Sequence, residues 1–280
     1  MTDALNYWRD LRFHLSLAEQ GQRGAASYGA FYVSSCAEMK TRGDKAVKFT
    51  LPEDGVILES YGKALKDALN LPFPSVLLEY PVQKGMPTLD GRGKVERGAV
   101  LAWDQDTELR FMWALGIRKL GWSVQPYLGV MRKTVTPGAN GGNFEIGYVD
   151  LLSDMAPIAR ARVPAANPDM CMFPAVCVIV ELLDALSCRN VVLETVPAKP
   201  LTQRQAKWGV LPYDEYKVLT LDVPGAANTP GDGTHGGRSP REHLRRGHIR
   251  RLPEHHVWVN STVVNAGAAG KIHKSYKVGA

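Results

Sequence analysis

The chain has 280 residues, 45% of them hydrophobic, enough to close one large core as a single domain or as a domain with an appendage. No uninterrupted apolar run reaches the ~18 residues of a membrane span, and the most apolar stretch, FPAVCVIVELLDAL, carries Glu181 and Asp184, so no membrane partner is expected. The formal net charge of +6 is unevenly spread: residues 238 to 280 hold nine Lys and Arg against two Glu, a net of +7, and the remainder holds 25 bases against 26 acids, or −1.

The opening segment places Ala4, Trp8, Leu11, Leu15 and Ala18 three and four apart, with Arg9, Asp10, Arg12 and Glu19 between them. That spacing predicts an amphipathic helix docked on the core. Its early Asp3 and scattered charges lack the order of a secretory signal, which points to a protein of the cytoplasm. A second helix is predicted over residues 59 to 69, ended by Pro72. SVLLEYPV then reads as a short buried strand, followed by the strands GAVLAW, TELRFMWAL, WSVQPYLGVMRK and NFEIGYVDLL. Trp122, Val124, Pro126, Leu128 and Val130 alternate at period two, and Pro126 suggests an edge position. TPGANGG has the composition of a long hairpin loop.

Pro174 fits the first turn of a helix through AVCVIVELLDALSC, apolar on nearly every side and so expected to be buried against the sheet. RNVVLETV returns as a strand, Thr202 can cap QRQAKW before Gly209, and YKVLTLDV is a further strand. The fold class expected is α+β: a mainly antiparallel sheet packed by helices, with a small basic β-rich module at the C-terminus. Three parts are expected, a globular body over 1–223, a Gly/Pro-rich linker over 224–238 and the basic module over 239–280. Cys36, Cys171, Cys177 and Cys188 form no C-x-x-C pair and are read as small hydrophobes, not as a disulfide or zinc set.

The basic module carries the chemistry. Between Ser239 and His256 it holds five arginines and four histidines. Ser239 and Glu242 form an S-x-x-E capping box with Pro240 at the first helical position, which predicts one helical turn ended by Gly247. HIRRL and VWVNSTVV read as two strands joined by PEHH, with KIHKSYKV as a possible third. Arginine forks bind phosphate oxygens bidentately, and a phosphate chain presents such charges densely and regularly. Arg241, His243, Arg245, Arg246, His248, Arg250 and Arg251 are therefore the candidate nucleic-acid contacts, with Trp258 and Tyr276 available to stack on unpaired bases. The competing bland reading is a solvated basic face, or one paired with the acidic remainder of the chain.

Metal ligation by His243, His248, His255 and His256 is disfavoured, because the neighbouring arginines would repel a divalent cation. No metal and no cofactor are expected. RSPREH reads as R-x4-H, a pattern found in a class of helical ribonucleases. A catalytic alternative would accordingly use His243 or His248 as general base with a flanking arginine on the phosphate. Glu79, Asp104, Asp106, Glu145 and Asp150 fall at or near predicted strand ends, where solvated turn residues are the commoner case. There is no P-loop, G-x-S-x-G, H-E-x-x-H or dinucleotide fingerprint.

The stretch P-x-x-H-x-R-R-G-H, present as Pro240, His243, Arg245, Arg246, Gly247 and His248 and followed by VWVNSTVVN, resembles the C-terminal signature of a phage and plasmid family that includes a type V-A anti-CRISPR. The order of parts is also similar: an amphipathic helical start, the Pro-bounded strand LPFPSVLLEYP, a buried helix leading into a strand, a polar linker and the basic motif. In that family the anti-CRISPR member recognises the N-terminal part of a nascent effector nuclease, and the message encoding it is lost. The resemblance implies a non-enzymatic anti-defence protein whose body binds a target polypeptide or nascent peptide. The partner expected for the basic tail is RNA or the ribosome. The tail here runs on through GKIHKSYKV, a departure from the named family pattern. The alternatives are a ribonuclease centred on the His and Arg cluster and a DNA-binding regulator. An extended peptide is expected to add to a sheet edge beside SVLLEYPV or WSVQPYLGV.

Overall fold

The computed structural model describes residues 5–20, 25–57, 70–83, 93–106, 108–125, 127–133, 144–150, 168–221, 243–245, 248–253, 255–259 and 262–264. These form an α+β fold built on a mostly antiparallel sheet of nine strands. In chain order the elements are α1 (Tyr7–Glu19), α2 (Ala25–Lys45), β1 (Val47–Thr50), β2 (Ser75–Pro81), β3 (Val95–Gln105), β4 (Glu108–Ile117), β5 (Gly121–Val124), β6 (Tyr127–Lys133) and β7 (Phe144–Asp150). There follow α3 (Pro168–Leu186), β8 (Val191–Val196), α4 (Gln203–Lys207), β9 (Tyr216–Leu221), and the short strands β10 (His243–Arg245), β11 (His248–Arg251), β12 (His256–Val259) and β13 (Thr262–Val264).

The main sheet runs β7-β6-β4-β3-β2-β1-β9-β8, with β5 also on β4. Only β1 is parallel to its neighbours, pairing Thr50 with Glu79 on one side and Lys48 with Tyr216 on the other. The central strands are apolar at successive residues because both faces of the sheet are covered, and period two sorts the side chains between two cores. Leu77, Ala99, Leu101, Met112 and Ala114 face α1 and α2, packing with Trp8, Leu11, Leu15, Cys36 and Met39. Val76, Leu78, Val100, Phe111 and Trp113 face α3, packing with Met172, Ala175, Ile179 and Leu182. The molecule is thus layered helix, sheet, helix about its middle strands.

On α1, Trp8, Leu11, Leu15 and Ala18 are fully buried, at the positions their spacing predicts. α2 lies beside it at close range. A Cβ on Gly43 would sit 2.3 Å from Trp8 Cη2, so the indole occupies the space a side chain would take.

Several details differ from expectation. α3 begins six residues before Pro174, which stands inside the helix and not in its first turn. The predicted strand through Pro126 is two strands, β5 and β6, which pair with successive parts of β4. β6 is interior, flanked by β4 and β7, whereas β5 pairs only with β4 among the described residues; Pro126, between them, lies outside the described residues. The predicted helical turn after Ser239 is contradicted at His243–Arg245, which is a strand paired antiparallel with Thr262–Val264. A ladder to a distant segment there overrides a local capping signal. VWVNSTVV is likewise divided between β12 and β13. The predicted helix at 59–69, the TPGANGG loop, the linker at 224–238 and KIHKSYKV lie outside the described residues.

Candidate functional site

Two polar constellations stand out. The first lies under the start of α1. Because β1, β2 and β9 adjoin, their alternation brings Lys48, Thr50, Glu79 and Tyr216 together on the side that faces α1. Glu79 is fully buried. Its Oε2 accepts the Tyr7 amide at 2.8 Å, and its Oε1 accepts the Trp8 amide and the Tyr216 hydroxyl, the latter at 2.6 Å. Asn6 precedes the helix in left-handed backbone and supplies no side-chain cap, so a carboxylate from a distant strand caps α1 and faces the positive end of its dipole. Burial pushes the Glu79 carboxyl up to about 7, against the pull of the Tyr216 hydroxyl and the two amides. Burial and the neighbouring carboxylate hold the Tyr216 phenol well above its usual range.

Lys48, also buried, pairs with Asp214 at 3.3 Å and lies 5.9 Å from the Trp8 ring centre. Leu5 N donates to Thr50 Oγ1 at 3.3 Å. Each charge in this cluster has a protein partner, and the three donors on Glu79 occupy both of its oxygens. The chemistry this arrangement performs is fastening: it fixes the entry of α1 onto the sheet. The five carboxylates noted in the sequence do not converge. Glu79 is inside β2, Asp104 is exposed near the end of β3, Asp106 is in the β3–β4 turn at φ 56°, and Glu145 and Asp150 are on β7. Three strands, β3, β4 and β6, separate β2 from β7. Among the described residues no group of three His, Cys, Asp or Glu is placed to hold a metal ion.

The second constellation is the C-terminal one. β11 and β12 form a hairpin in register His248 to Val259, Ile249 to Trp258, Arg250 to Val257 and Arg251 to His256, with the Leu252 amide donating to the His255 carbonyl at 2.9 Å across the turn. His243 and Arg245 are on β10, in the separate two-stranded pair with β13. Thus His243 and His248, the alternative catalytic pair, stand on different ladders. Arg250 is exposed. Arg241 and Arg246 lie outside the described residues.

The hairpin is fastened to the body at the turn between α3 and β8. Arg189 N donates to the His256 carbonyl at 2.9 Å, and Cys188 forms a parallel bridge with His256. Asn190 completes the contact with its side chain: Nδ2 donates to the Trp258 carbonyl and Oδ1 accepts the Trp258 amide, both at 2.8 Å. One amide side chain thereby serves both backbone groups of Trp258, as a neighbouring strand would. Trp258, read in the sequence as a base-stacking residue, is partly buried in this contact. Asn190 was not identifiable in advance, because nothing about a lone Asn before a strand signals a partner 68 residues away.

The edges of the sheet bear on polypeptide binding. β2 is flanked by β1 and β3, so the edge expected beside SVLLEYPV is occupied on both sides. Among the described residues β5 pairs only with β4, and β8 ends the sheet with Val192 exposed. The arrangement defines a sheet protein covered by helices on both faces, with a short basic hairpin clamped at one end of its terminal strand. No protein-family model, no curated protein and no solved structure matches this chain. No helix among the described residues is long and apolar enough to cross a membrane.

Proposed function

We propose that this chain is a non-enzymatic anti-defence protein of a phage or plasmid, acting in the host cytoplasm. Its body holds a target polypeptide, nascent or complete, and its basic C-terminal module engages RNA or the ribosome to lower expression of that target. The observation that carries this reading is the segregation of charge: +7 in residues 238 to 280 against −1 in the rest. A near-neutral body with a cationic end is suited to meeting a polyanion while leaving the body's surface for another partner. The clamp at Asn190 supports it further, since it joins the hairpin that carries Arg250 to the terminal strand of the sheet. Strand addition at the side of β5 or β8 that no described strand occupies would supply backbone hydrogen bonds to an extended peptide.

The test is isolation of the full chain from actively translating cells without nuclease treatment, followed by identification of bound RNA and protein together. Co-purifying RNA, lost when Arg241, Arg245, Arg246, Arg250 and Arg251 are all changed to Ala, is the expected result. Absence of RNA, or its retention by that variant, contradicts the proposal. Cleavage of added RNA that disappears in a His243→Ala, His248→Ala variant would replace it with a ribonuclease.

A further inference from the structure

Between β8 and β9 the chain presents a tryptophan that the core does not use. α4 is a single turn finished at both ends. Thr202 Oγ1 accepts the Gln205 amide at 3.2 Å while Gln205 Oε1 accepts the Thr202 amide at 3.0 Å, and Gly209 follows in left-handed backbone at φ 66°. A turn this short has little helical stability of its own, so its capping box and glycine end hold it in place. None of its residues is buried. What the turn displays is Trp208, 73% exposed, whereas Trp8, Trp103, Trp113 and Trp122 are each 5% exposed or less.

The surroundings of Trp208 are cationic. The Arg204 guanidinium lies 5.6 Å from the centre of the Trp208 ring, and Lys207 adjoins it in the chain. Among the described residues no carboxylate pairs with Arg204 or Lys207. The acids of this segment are engaged elsewhere, Asp214 by Lys48 at 3.3 Å and Glu215 by Lys217 at 3.2 Å. An open indole with a guanidinium near its ring and an ammonium that no described carboxylate pairs matches the two parts of a single-stranded nucleotide, its flat base and its phosphate. A protein partner could also use an exposed Trp and Arg, but lysine is depleted at such interfaces, so the pairing of Lys207 with Arg204 beside the indole favours a phosphate-bearing strand.

We propose that Arg204, Lys207 and Trp208 form a stacking contact for single-stranded nucleic acid, separate from the arginines of the C-terminal module. This rests on the RNA-directed reading above and extends it to the body. β8 spans about 20 Å between Asn190, where the hairpin is clamped, and the segment that leads to α4. A single strand held at both places would follow the length of the sheet's terminal strand.

The experiment titrates the full-length protein with oligouridylate, following tryptophan emission and, independently, binding by filter retention over a series of salt concentrations. The wild type should bind with quenching. Trp208→Ala should lose that quenching and bind about 5- to 150-fold more weakly, the range of one base stacked on an aromatic ring. Arg204→Ala with Lys207→Ala should reduce the salt dependence of binding by about 1.4 in slope, or about 0.7 per cation. Since α4 contributes nothing to the core, all three proteins should unfold at similar temperatures. If the wild type binds and the fivefold arginine variant does not, while Trp208→Ala binds and quenches like the wild type, the inference is overturned and the tail reading stands. If Trp208→Ala instead loses a captured polypeptide with its RNA affinity intact, the surface is a protein dock and the inference is again overturned. If the wild type binds no oligouridylate, the RNA-directed reading fails and this inference fails with it.

Discussion

Replacing Glu79 by Gln should make the body's stability respond differently to pH. The folded carboxyl titrates near 7 and the unfolded one near 4.5, because burial disfavours the ionised form more than its three donors favour it. Between those values the folded protein binds the proton that the unfolded chain has released, so Glu79 makes stability fall as pH rises through that window. Below about 4.5 both states are protonated and the penalty is absent; above about 7 it is fully present. The interval from 4.5 to about 7, at ~1.4 kcal/mol for each tenfold change in proton concentration, amounts to a loss of about 3–4 kcal/mol. Gln does not titrate. It can still accept from the Trp8 amide and the Tyr216 hydroxyl, but its amide nitrogen then faces the Tyr7 N–H, a mismatch of about 1–3 kcal/mol at any pH. Urea unfolding of both proteins from about pH 4 to pH 8.5 measures the difference, in which the shared titrations cancel. The wild type should be the more stable at acid pH, and its advantage should shrink by about 3–4 kcal/mol, reaching zero or reversing, by about pH 8. A difference that stays constant would mean that Glu79 does not titrate in this range, and one that grows with pH that the helix amides hold the buried carboxylate ionised; either outcome rules out a raised Glu79 carboxyl.

Three further outcomes follow from single contacts. Asn190→Ala removes both bonds to Trp258 and should weaken docking of the β11–β12 hairpin by about 1–3 kcal/mol, read as faster amide exchange at Trp258 with little change at Leu101 in the core. Gly43→Ala drives a methyl group into the Trp8 indole and should lower stability by about 1–3 kcal/mol, seen as a reduced Tm with the fold retained. Thr202→Ala breaks the capping box of α4 and should cost about 1 kcal/mol locally, measurable as increased exchange of the Gln205 amide and no change in the global unfolding midpoint.

Much of the body was legible where local pattern and tertiary burial agree. The three-and-four spacing of Trp8, Leu11, Leu15 and Ala18 marks α1, and the buried run around Val178 and Leu182 marks α3. Thr202 announces its own cap. α2 escaped because its buried positions, Cys36, Met39 and Gly43, are small or interrupted by polar residues, and Gly43 matters through the absence of a side chain. β1 is four residues long and carries the buried Lys48, which Asp214, the Ala46 carbonyl and the Trp8 ring together make tolerable. Glu79 sits in an apolar run, VLLEYP, and that context is a faint signal of a satisfied buried carboxylate; its partners, 72, 71 and 137 positions away, are not readable from spacing. At His243 the capping pattern pointed to a helix, and the partner strand Thr262–Val264 decided otherwise. The uneven charge was fully visible, because it is a property of composition alone.

Whether the arginines of the C-terminal module hold a polyanion is read from the salt dependence of RNA binding. For single strands each neutralised phosphate contributes about 0.7 to the slope of log affinity against log salt. Removing Arg241, Arg245, Arg246, Arg250 and Arg251 together should flatten the slope by up to about 3.5 and weaken binding at every salt concentration. An unchanged slope, with RNA affinity retained, would contradict the account.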